Sequence, residues 1–217
     1  HAQVTLLEAE DALAYHASGR SAALYESNYG LATTVALSKA SADYFHNGEY
    51  LSPRGLLIAA RAEEREQFEA DSKMLQLDRI SPAEALAMIP VLDAAQIAHA
   101  SYHHGAWDID TDAAIQRFIR QLRGNAGTVG TRADVTNITQ TSDGWQVTAD
   151  ETYTARQIIN AAGAWADQVG QMAGAENIGL TPKRRTALII AAPEGVDAAS
   201  YPITIDVGEE FYLKPDA

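Results

Sequence analysis

Helical and strand-like patterns alternate along the 217 residues of this chain, and no other feature restricts its fold as strongly. Apolar residues at helical spacing predict helices over Leu31–His46, Ala62–Leu77 and Ser81–Pro90, and from near Asp110 to Gly124. Short apolar runs predict strands at Gly55–Ala60, Ile97–His103, Ile158–Asn160, Arg184–Ala192 and Glu209–Pro215. This order of elements predicts an α/β fold with mixed sheets.

A three-stranded meander interrupts the alternation. Two alternating runs, 133–140 and 144–150, flank the hairpin signal Asp143-Gly144, and a third short strand is predicted in the stretch that begins at Thr152. The layout passes between two regions of the chain more than once, which predicts discontinuous domains.

Charge and cysteine content restrict the partners of the chain. The net charge is −13 at pH 7 and the pI about 4.7, so nucleic acid and anionic membrane surfaces would repel it. The absence of cysteine excludes disulfides, thiolate ligands and a cysteine nucleophile, and agrees with a reducing, cytoplasmic location. No apolar run approaches the ~18 residues of a membrane span.

Metal binding is not expected. The six histidines show no ligand spacing. The acidic stretch Asp108–Asp112 lacks the glycine and the distant glutamate of a calcium loop. Asp110 or Thr111 is better explained as the N-cap of the helix that follows.

Two stretches near the amino terminus have the composition of a nucleotide site. The apolar run Val4–Leu7 ends in Glu8, as the second strand of a dinucleotide-binding βαβ unit ends in a ribose-binding acid. In the small-residue loop Ser18–Ala23, backbone amides can approach a phosphate or a ring, and Arg20 can balance charge. The alternatives are a solvated carboxylate and an ordinary turn with a surface arginine.

A second small-residue turn lies at Ile158–Asp167. Here the predicted strand runs into Ala161-Ala162-Gly163, where a bulky ligand can approach the backbone, and Trp165 can form a wall. Close packing of a strand on a helix is the alternative.

Cations are scarce in this acidic chain, which makes Lys183-Arg184-Arg185 notable. One of these arginines can face a carboxylate-bearing substrate. The hydroxyl of Tyr212 is a second candidate for holding such a carboxylate. The alternatives are a solvated strand end for the cations and sheet packing for Tyr212.

Together these pieces resemble the FAD-dependent amino-acid oxidase and dehydrogenase (DAO) family, and within it the bacterial D-arginine dehydrogenase branch. The resemblance covers essentially the whole chain. The motifs that carry it are "VTLLEAED", "SGRSAALYESNYG", "SPRGLLIAA", "GAWDIDTDAAIQRFIRQLR", "ADVTNI", "IINAAGAWAD", "LTPKRRTALII" and "FYLKPDA". It implies a Rossmann-like FAD-binding domain, over 1–47 and 111–178, interleaved with a substrate domain on a mixed sheet, over 48–110 and 179–217.

The resemblance also implies site residues. For the cofactor, Glu8 would hold the adenosine ribose and Val135 would meet the adenine through its backbone. The remaining cofactor positions, along the pyrophosphate and the flavin, are Ser18, Gly19, Arg20, Ser21, Ala161, Ala162, Gly163 and Trp165. The catalytic and substrate-binding positions are Tyr29, Arg185 and Tyr212.

The implied reaction is hydride transfer from the substrate Cα to flavin N5. The imino acid then hydrolyses to a 2-oxo acid and ammonia, and the electron acceptor is unknown. Two pocket positions, Leu24 and Leu56, are apolar where D-arginine dehydrogenases have polar groups, which favours a neutral D-amino acid as substrate. The alternatives are an FAD-dependent 2-hydroxy acid oxidoreductase and a truncated homologue that acts as a binding module.

The family pattern begins before Glu8, with a strand and a Gly-x-Gly-x-x-Gly turn, and continues beyond Ala217. We therefore expect this chain to match the internal part of such an enzyme. Without the helix N-terminus that meets the pyrophosphate, we expect the chain as given to be inactive and to bind little or no FAD.

Overall fold

The computed structural model describes residues 2–184, 186–208 and 211–215. The chain divides into two units. The first ends at Ser21 and resumes as Ile115–Ala187, and the second comprises Ala22–Ala114 and the chain from Leu188 onward. Residues 22–47 thus group with the second unit, whereas the sequence-based domains place them with the first; those domains remain a prediction about the complete protein.

Short strands and helices alternate through both units. The strands of the described residues are β1 (Thr5–Leu7), β2 (Leu24–Tyr25), β3 (Leu51–Pro53), β4 (Leu56–Ala60), β5 (Asp78–Ile80), β6 (His99–His103), β7 (Trp107–Ile109), β8 (Thr128–Gly130), β9 (Asn137–Thr141), β10 (Gly144–Thr148), β11 (Thr152–Ala155), β12 (Ile203–Asp206) and β13 (Tyr212–Leu213). The α-helices are α1 (Ala32–Ala40), α2 (Ala42–Asn47), α3 (Arg65–Met74), α4 (Pro82–Met88), α5 (Thr111–Gly124) and α6 (Ala166–Met172). Single 3-10 turns lie at Ser18–Arg20, Ala62–Glu64, Ala94–Gln96 and Gly163–Trp165.

The first unit contains two small sheets. Strands β1 and β8 pair in parallel, with Leu6 opposite Val129. Strands β9, β10 and β11 form the predicted antiparallel meander. Gly144, just after the hairpin turn, has φ +139°, and a Cβ there would lie 2.4 Å from the carbonyl oxygen of Ala155. The hairpin therefore requires glycine at this position.

The second unit is built on a mixed five-stranded sheet in the order β13-β12-β4-β6-β5. Strands β12 and β4 are parallel, and the other pairs are antiparallel. Helix α3 packs on β4, with Phe68 0 % exposed in the largest apolar cluster. A separate antiparallel sheet has the order β2-β7-β3. The predicted α/β class with mixed sheets is confirmed.

Local sequence signals for helix starts are confirmed. The Ser81 hydroxyl accepts a hydrogen bond from the backbone N–H of Glu84 at 3.2 Å, and the Glu84 carboxylate accepts one from the Ser81 backbone N–H at 2.7 Å. This reciprocal pair is a capping box. The Asp110 side chain accepts from the backbone N–H of Ala113 at 2.8 Å and caps α5 as predicted.

The predicted helix Leu31–His46 is in fact two helices, α1 and α2, with a break at Ser41. The Ser41 hydroxyl donates to the carbonyl oxygen of Leu37 at 2.9 Å. Hydroxyl bonds of this kind bend helices, because they compete with the regular backbone ladder.

Two of the strand predictions are wrong. No strand is assigned at 158–160 or in the described part of 184–192. Ile159 is 88 % exposed, and Leu188 and Ile189 are 82 % and 86 % exposed. An apolar run becomes a strand only where a neighbouring strand accepts its backbone hydrogen bonds, and none among the described residues pairs with these two segments.

Candidate functional site

Glu8 lies at the carboxyl end of β1, beside the end of its parallel partner β8. Its backbone N–H donates to the carbonyl oxygen of Gly130 at 2.8 Å, and its carbonyl oxygen accepts from the N–H of Ala133 at 2.9 Å. The carboxylate oxygen Oε1 accepts from the backbone N–H of Glu10 at 3.1 Å. Among the described residues Oε2 has no partner, so a fixed carboxylate retains an oxygen that can bind a hydroxyl.

The loop after Glu8 is held by its own side chains. Arg20 donates from Nε to the carbonyl oxygen of Tyr15 at 3.2 Å, and its guanidinium lies 4.8 Å from the centre of the Tyr15 ring. The N–H of Gly19 donates to the carbonyl oxygen of Ala14 at 2.8 Å. A Cβ on Gly19 would lie 2.2 Å from that oxygen, so the turn Ser18–Arg20 forms only with glycine.

The turn at Ala161–Gly163 is organised by Asn160. The side-chain oxygen Oδ1 of Asn160 accepts a hydrogen bond from the backbone N–H of Ala162 at 3.2 Å. The side-chain nitrogen Nδ2 donates one to the backbone carbonyl oxygen of Ala166 at 2.7 Å. Gly163 has φ +54°, and a Cβ there would meet nothing within 4 Å. The surface above this glycine is therefore open to a flat group that approaches the backbone.

Trp165 connects the turn to the loop after Glu8. Its ring centre lies 4.7 Å from that of His16, and Trp165 is 45 % exposed. His16 Nε2 in turn lies 2.8 Å from a carboxylate oxygen of Glu10. The loop after β1 and the start of α6, predicted separately as cofactor positions, are therefore neighbours in the first unit.

Val135 lies between β8 and β9, also in the first unit. Within the described part of the chain, neither its backbone N–H nor its carbonyl oxygen has a hydrogen-bond partner. An adenine edge needs one donor and one acceptor, and both are free here. An FAD nucleotide is compatible with these three features: the free carboxylate oxygen of Glu8, the open backbone at Gly163 and the free peptide groups of Val135.

The predicted substrate residues that the structure describes belong to the second unit. Tyr29 and Tyr212 are 51 % and 43 % exposed, so both side chains reach the surface of the unit. Leu24 packs against the apolar cluster that contains Leu56, and Leu56 is only 1 % exposed. Leu56 is thus a core residue, and its contact with a substrate remains a prediction. Arg185 lies outside the described residues.

The loop that carries Tyr29 is fixed by a buried carboxylate that the sequence analysis did not identify. Glu26 is 8 % exposed, and its Oε2 lies 2.7 Å from Nε2 of His103. Its Oε1 accepts from the backbone N–H of Asn28 at 2.9 Å, and its carbonyl oxygen accepts from Tyr29 at 3.4 Å. Burial, and then the charge of Glu26, raise the pKa of the neighbouring Tyr25 hydroxyl.

A second missed group joins Arg54, Asp108 and Lys214. Arg54 Nε donates to Oδ2 of Asp108 at 2.6 Å, and Lys214 Nζ lies 3.2 Å from Oδ1 of the same carboxylate. The three side chains are 9 %, 10 % and 16 % exposed. Each is ordinary in its local sequence, and only the fold brings them together.

The described ranges of the chain contain neither a candidate metal cluster nor a membrane-spanning helix. There, no group of three or more His, Cys, Asp or Glu side chains clusters as metal ligands would. No helix in those ranges has the length and apolarity needed to cross a membrane.

Comparisons with known proteins show which family the sequence matches. The family model described as FAD dependent oxidoreductase matches residues 1–217. The human (Homo sapiens) mitochondrial dimethylglycine dehydrogenase is 28 % identical over 141 residues, which is 63 % of this chain and 16 % of that protein.

Solved structures share the fold. The dithionite-reduced, FAD-bound L-α-glycerophosphate oxidase from Mycoplasma pneumoniae superposes with a TM-score of 0.74 at 21 % identity, over 95 % of this chain and 59 % of that one. Glycine oxidase from Geobacillus kaustophilus gives a TM-score of 0.68 at 20 % identity, over 79 % and 52 %. The chain thus spans little more than half the length of these two structures.

Proposed function

The chain belongs to the FAD-dependent oxidoreductase family, and we propose that the complete protein oxidises the Cα–N bond of an amino acid or related amine, with neutral D-amino acids as its substrates. FAD, the predicted cofactor, is the cofactor of this family. The observation that carries the proposal is that all the predicted cofactor residues, drawn from four separate stretches, fall in the first unit.

Four of the predicted cofactor residues, Glu8, Val135, Gly163 and Trp165, have a geometry that supports the proposed role. The free oxygen of Glu8 accepts a ribose hydroxyl, and the peptide groups of Val135 bond an adenine edge. The turn at Gly163 lets a flat ring approach the backbone, with Trp165 at its side. When bound, FAD supplies the two-electron oxidation.

The substrate residues bind and orient the amino acid. Arg185 neutralises the substrate carboxylate, and the hydroxyls of Tyr29 and Tyr212 donate hydrogen bonds to it. Two-point binding of this kind fixes the direction of the Cα–H bond. Amine chemistry has support in the name of the human relative, dimethylglycine dehydrogenase.

A preference for neutral side chains rests on Leu24 and Leu56. Leu24 is half-buried and packs on the cluster that contains Leu56. The half-buried Leu24 side chain cannot pair with a guanidinium, and Leu56, a core residue, offers no charge either, so D-arginine would leave its own charge unpaired there. We also propose a cytoplasmic location, because a chain without cysteine needs no disulfides and so fits a reducing compartment.

Oxidation of a C–O bond is the second candidate. One of the similar structures is an oxidase named for L-α-glycerophosphate, which is an alcohol. At 21 % identity, that structure shares the fold of this chain. Release of ammonia distinguishes the two, because only amine oxidation produces it.

The first experiment uses the protein expressed from its complete gene. We expect the visible absorbance of bound oxidised flavin, its bleaching by D-Leu, D-Met or D-Phe without oxygen, and release of ammonia. D-Arg and the L-enantiomers should react more slowly. A colourless protein would favour a binding module, and a clear preference for D-Arg would contradict the neutral-substrate proposal.

A variant pair tests the cofactor site. Glu8→Gln removes the charge that accepts the ribose hydroxyl, and we expect the Kd for FAD to rise about tenfold. Glu176→Gln is the control, because Glu176 is an exposed acid of the same unit without a hydrogen-bond partner in the described residues. Equal effects of the two changes would remove Glu8 from the site.

A further inference from the structure

Tyr212 lies on a strand with little main-chain support. Strand β13 has two residues and forms the edge of the five-stranded sheet, where Tyr212 and Leu213 pair with Ile205 and Thr204 of β12. Two backbone pairs at a sheet edge leave a strand free to fray. A substrate-binding hydroxyl placed here needs a further attachment to hold its position.

Lys214 provides such an attachment. It follows β13 directly, two residues after Tyr212. Its Nζ lies 3.2 Å from Oδ1 of Asp108, which belongs to β7 in the other sheet of the second unit. No well-directed hydrogen bond reaches Oδ1 from the described residues, so charge attraction holds this contact.

Arg54 keeps the Asp108 carboxylate in place. Its Nε and Nη2 both lie 2.6 Å from Oδ2 of Asp108. Its Nη1 donates to the carbonyl oxygens of Ala199 at 2.8 Å and Tyr201 at 3.0 Å, just before β12. One guanidinium therefore fixes both the carboxylate that Lys214 contacts and the approach to the strand that pairs with β13.

One carboxylate serves two cations in this group. Burial makes an unpaired charge strongly unfavourable, so Lys214 cannot leave Asp108 without cost. Because Lys214 and Tyr212 are two residues apart, this constraint also restricts where the tyrosine hydroxyl lies.

We infer that Lys214, through its ion pair with the Arg54-bound carboxylate of Asp108, is a positioning residue that holds the Tyr212 hydroxyl where it meets the substrate carboxylate. This inference rests on the proposed function, and it assigns Lys214 no contact with the substrate itself.

The test uses the full-length holoenzyme and four variants: Lys214→Met, Lys214→Arg, Tyr212→Phe and the double variant of Lys214→Met with Tyr212→Phe. We expect Lys214→Met to raise KM for D-Leu about five- to tenfold with a smaller change in kcat, as loss of a substrate-binding interaction does. Lys214→Arg retains the ion pair and should restore KM. In the Tyr212→Phe background, Lys214→Met should add little, because the hydroxyl it positions is gone.

A stability control separates positioning from general damage. Ser101→Ala disturbs a buried hydroxyl pair of the same unit, so it should lower the unfolding midpoint without changing KM. A Lys214→Met enzyme with wild-type KM would overturn the inference. So would an effect that persists fully in the Tyr212→Phe background, which would mean direct contact of Lys214 with the substrate.

The wild-type enzyme separates the inference from the function on which it rests. A flavin-containing wild-type protein that oxidises no amino acid overturns the proposed function, and the inference with it. An active wild-type enzyme with an unaffected Lys214→Met variant overturns the inference alone.

Discussion

The two units of this chain use their apolar residues differently. In the second unit, Phe68 and Leu57 are 0 % exposed, and the buried polar side chains of the described residues also lie there. Exposed apolar residues occur in both units: Ile159 of the first is 88 % exposed and Ile189 of the second 86 %, so the difference lies in what each unit buries. The buried hydrophobic residues of the first unit, within the described ranges, are Ile119, Ala133, Ile138 and Val147. The second unit has a core of its own, whereas main-chain bonds and tight turns shape the first.

The predicted functional residues follow the same division. The cofactor positions lie on turns of the first unit, where backbone groups and glycines face solvent. The described substrate positions lie in the second unit, where buried polar contacts lie close in sequence to two of them: Glu26 with His103 near Tyr29, and Lys214 with Asp108 near Tyr212. A ligand-binding turn needs open backbone, while a substrate side chain needs a rigid support.

Removal of a core side chain should have the largest effect. Phe68 packs fully buried on β4, with the His99 ring stacked on it at 5.5 Å. We expect Phe68→Ala to reduce the free energy of unfolding by about 3–5 kcal/mol, measured by urea denaturation. Ile159→Ala, in the first unit, should cost less than about 0.5 kcal/mol. Similar losses for both would mean that the two units do not differ in this way.

The first unit should be sensitive at its hairpin instead. Gly144 has φ +139°, and a Cβ would press on the carbonyl oxygen of Ala155. We expect Gly144→Ala to cost about 3 kcal/mol, at the upper end of backbone strain. Gly163→Ala is the matched control: φ is +54° and the space is open, so about 1 kcal/mol is expected. Urea denaturation measures both losses. Equal losses for the two variants would show that backbone strain at the hairpin does not limit the stability of this unit.

Sequence alone predicted the features that local chemistry determines. The capping box at Ser81, the cap at Asp110 and the hairpin near Gly144 are each set by residues close in sequence. Pairing of distant segments was predicted less well. The predicted strands at 158–160 and 184–192 contain apolar runs, but their described residues pair with no strand of the described chain. Strands of two or three residues, such as β2 and β7, give no periodic pattern to detect.

The site shows the same limit. Glu8 and the small-residue turns could be identified because a strand ending in an acid and a glycine turn are local patterns. Arg54, Asp108 and Lys214 come from three distant stretches, and Asp108 appeared only as part of an acidic segment before a helix. Glu26 and His103 also come from distant stretches of the chain, and the fold brings them into contact. Contacts of this kind depend on the topology, which composition and periodicity do not reveal.

In the core of the second unit, the effects of removing two buried hydroxyls on the free energy of unfolding should be strongly coupled. The hydroxyls of Ser72 and Ser101 lie 2.8 Å apart, and both residues are buried. Either single change to alanine leaves one hydroxyl buried without its partner, at a cost of about 2 kcal/mol. The double variant should cost little more than a single one. Additive losses in this double-mutant cycle would show that the two hydroxyls act independently. Ser142→Ala, in the exposed hairpin turn, is the control for a serine whose removal should not change the free energy of unfolding.

The smallest effect is expected at the surface of the second unit, where a helix start depends on pH. Hydrogen bonds from the Ser81 side chain, and then from its backbone, lower the pKa of Glu84 below its ordinary value of 4.5. Because the pKa is lower in the folded state, the stabilisation is present above pH 4.5 and is lost as the pH falls through the native value. We expect Ser81→Ala to cost about 1 kcal/mol at neutral pH.

The cost of Ser81→Ala should shrink in acid, because a protonated Glu84 no longer attracts the Ser81 hydroxyl as a charge does. Urea denaturation at neutral pH and below the pKa of Glu84 measures both values. Ser81→Thr retains the hydroxyl and should keep the wild-type pH dependence. A cost for Ser81→Ala that is equal at both pH values would mean that the bond from the Ser81 hydroxyl to the Glu84 carboxylate adds nothing, and that the hydroxyl stabilises the helix only by accepting from the backbone N–H of Glu84. At this helix start, main-chain geometry would then matter more than side-chain charge, as it does at the hairpin of the first unit.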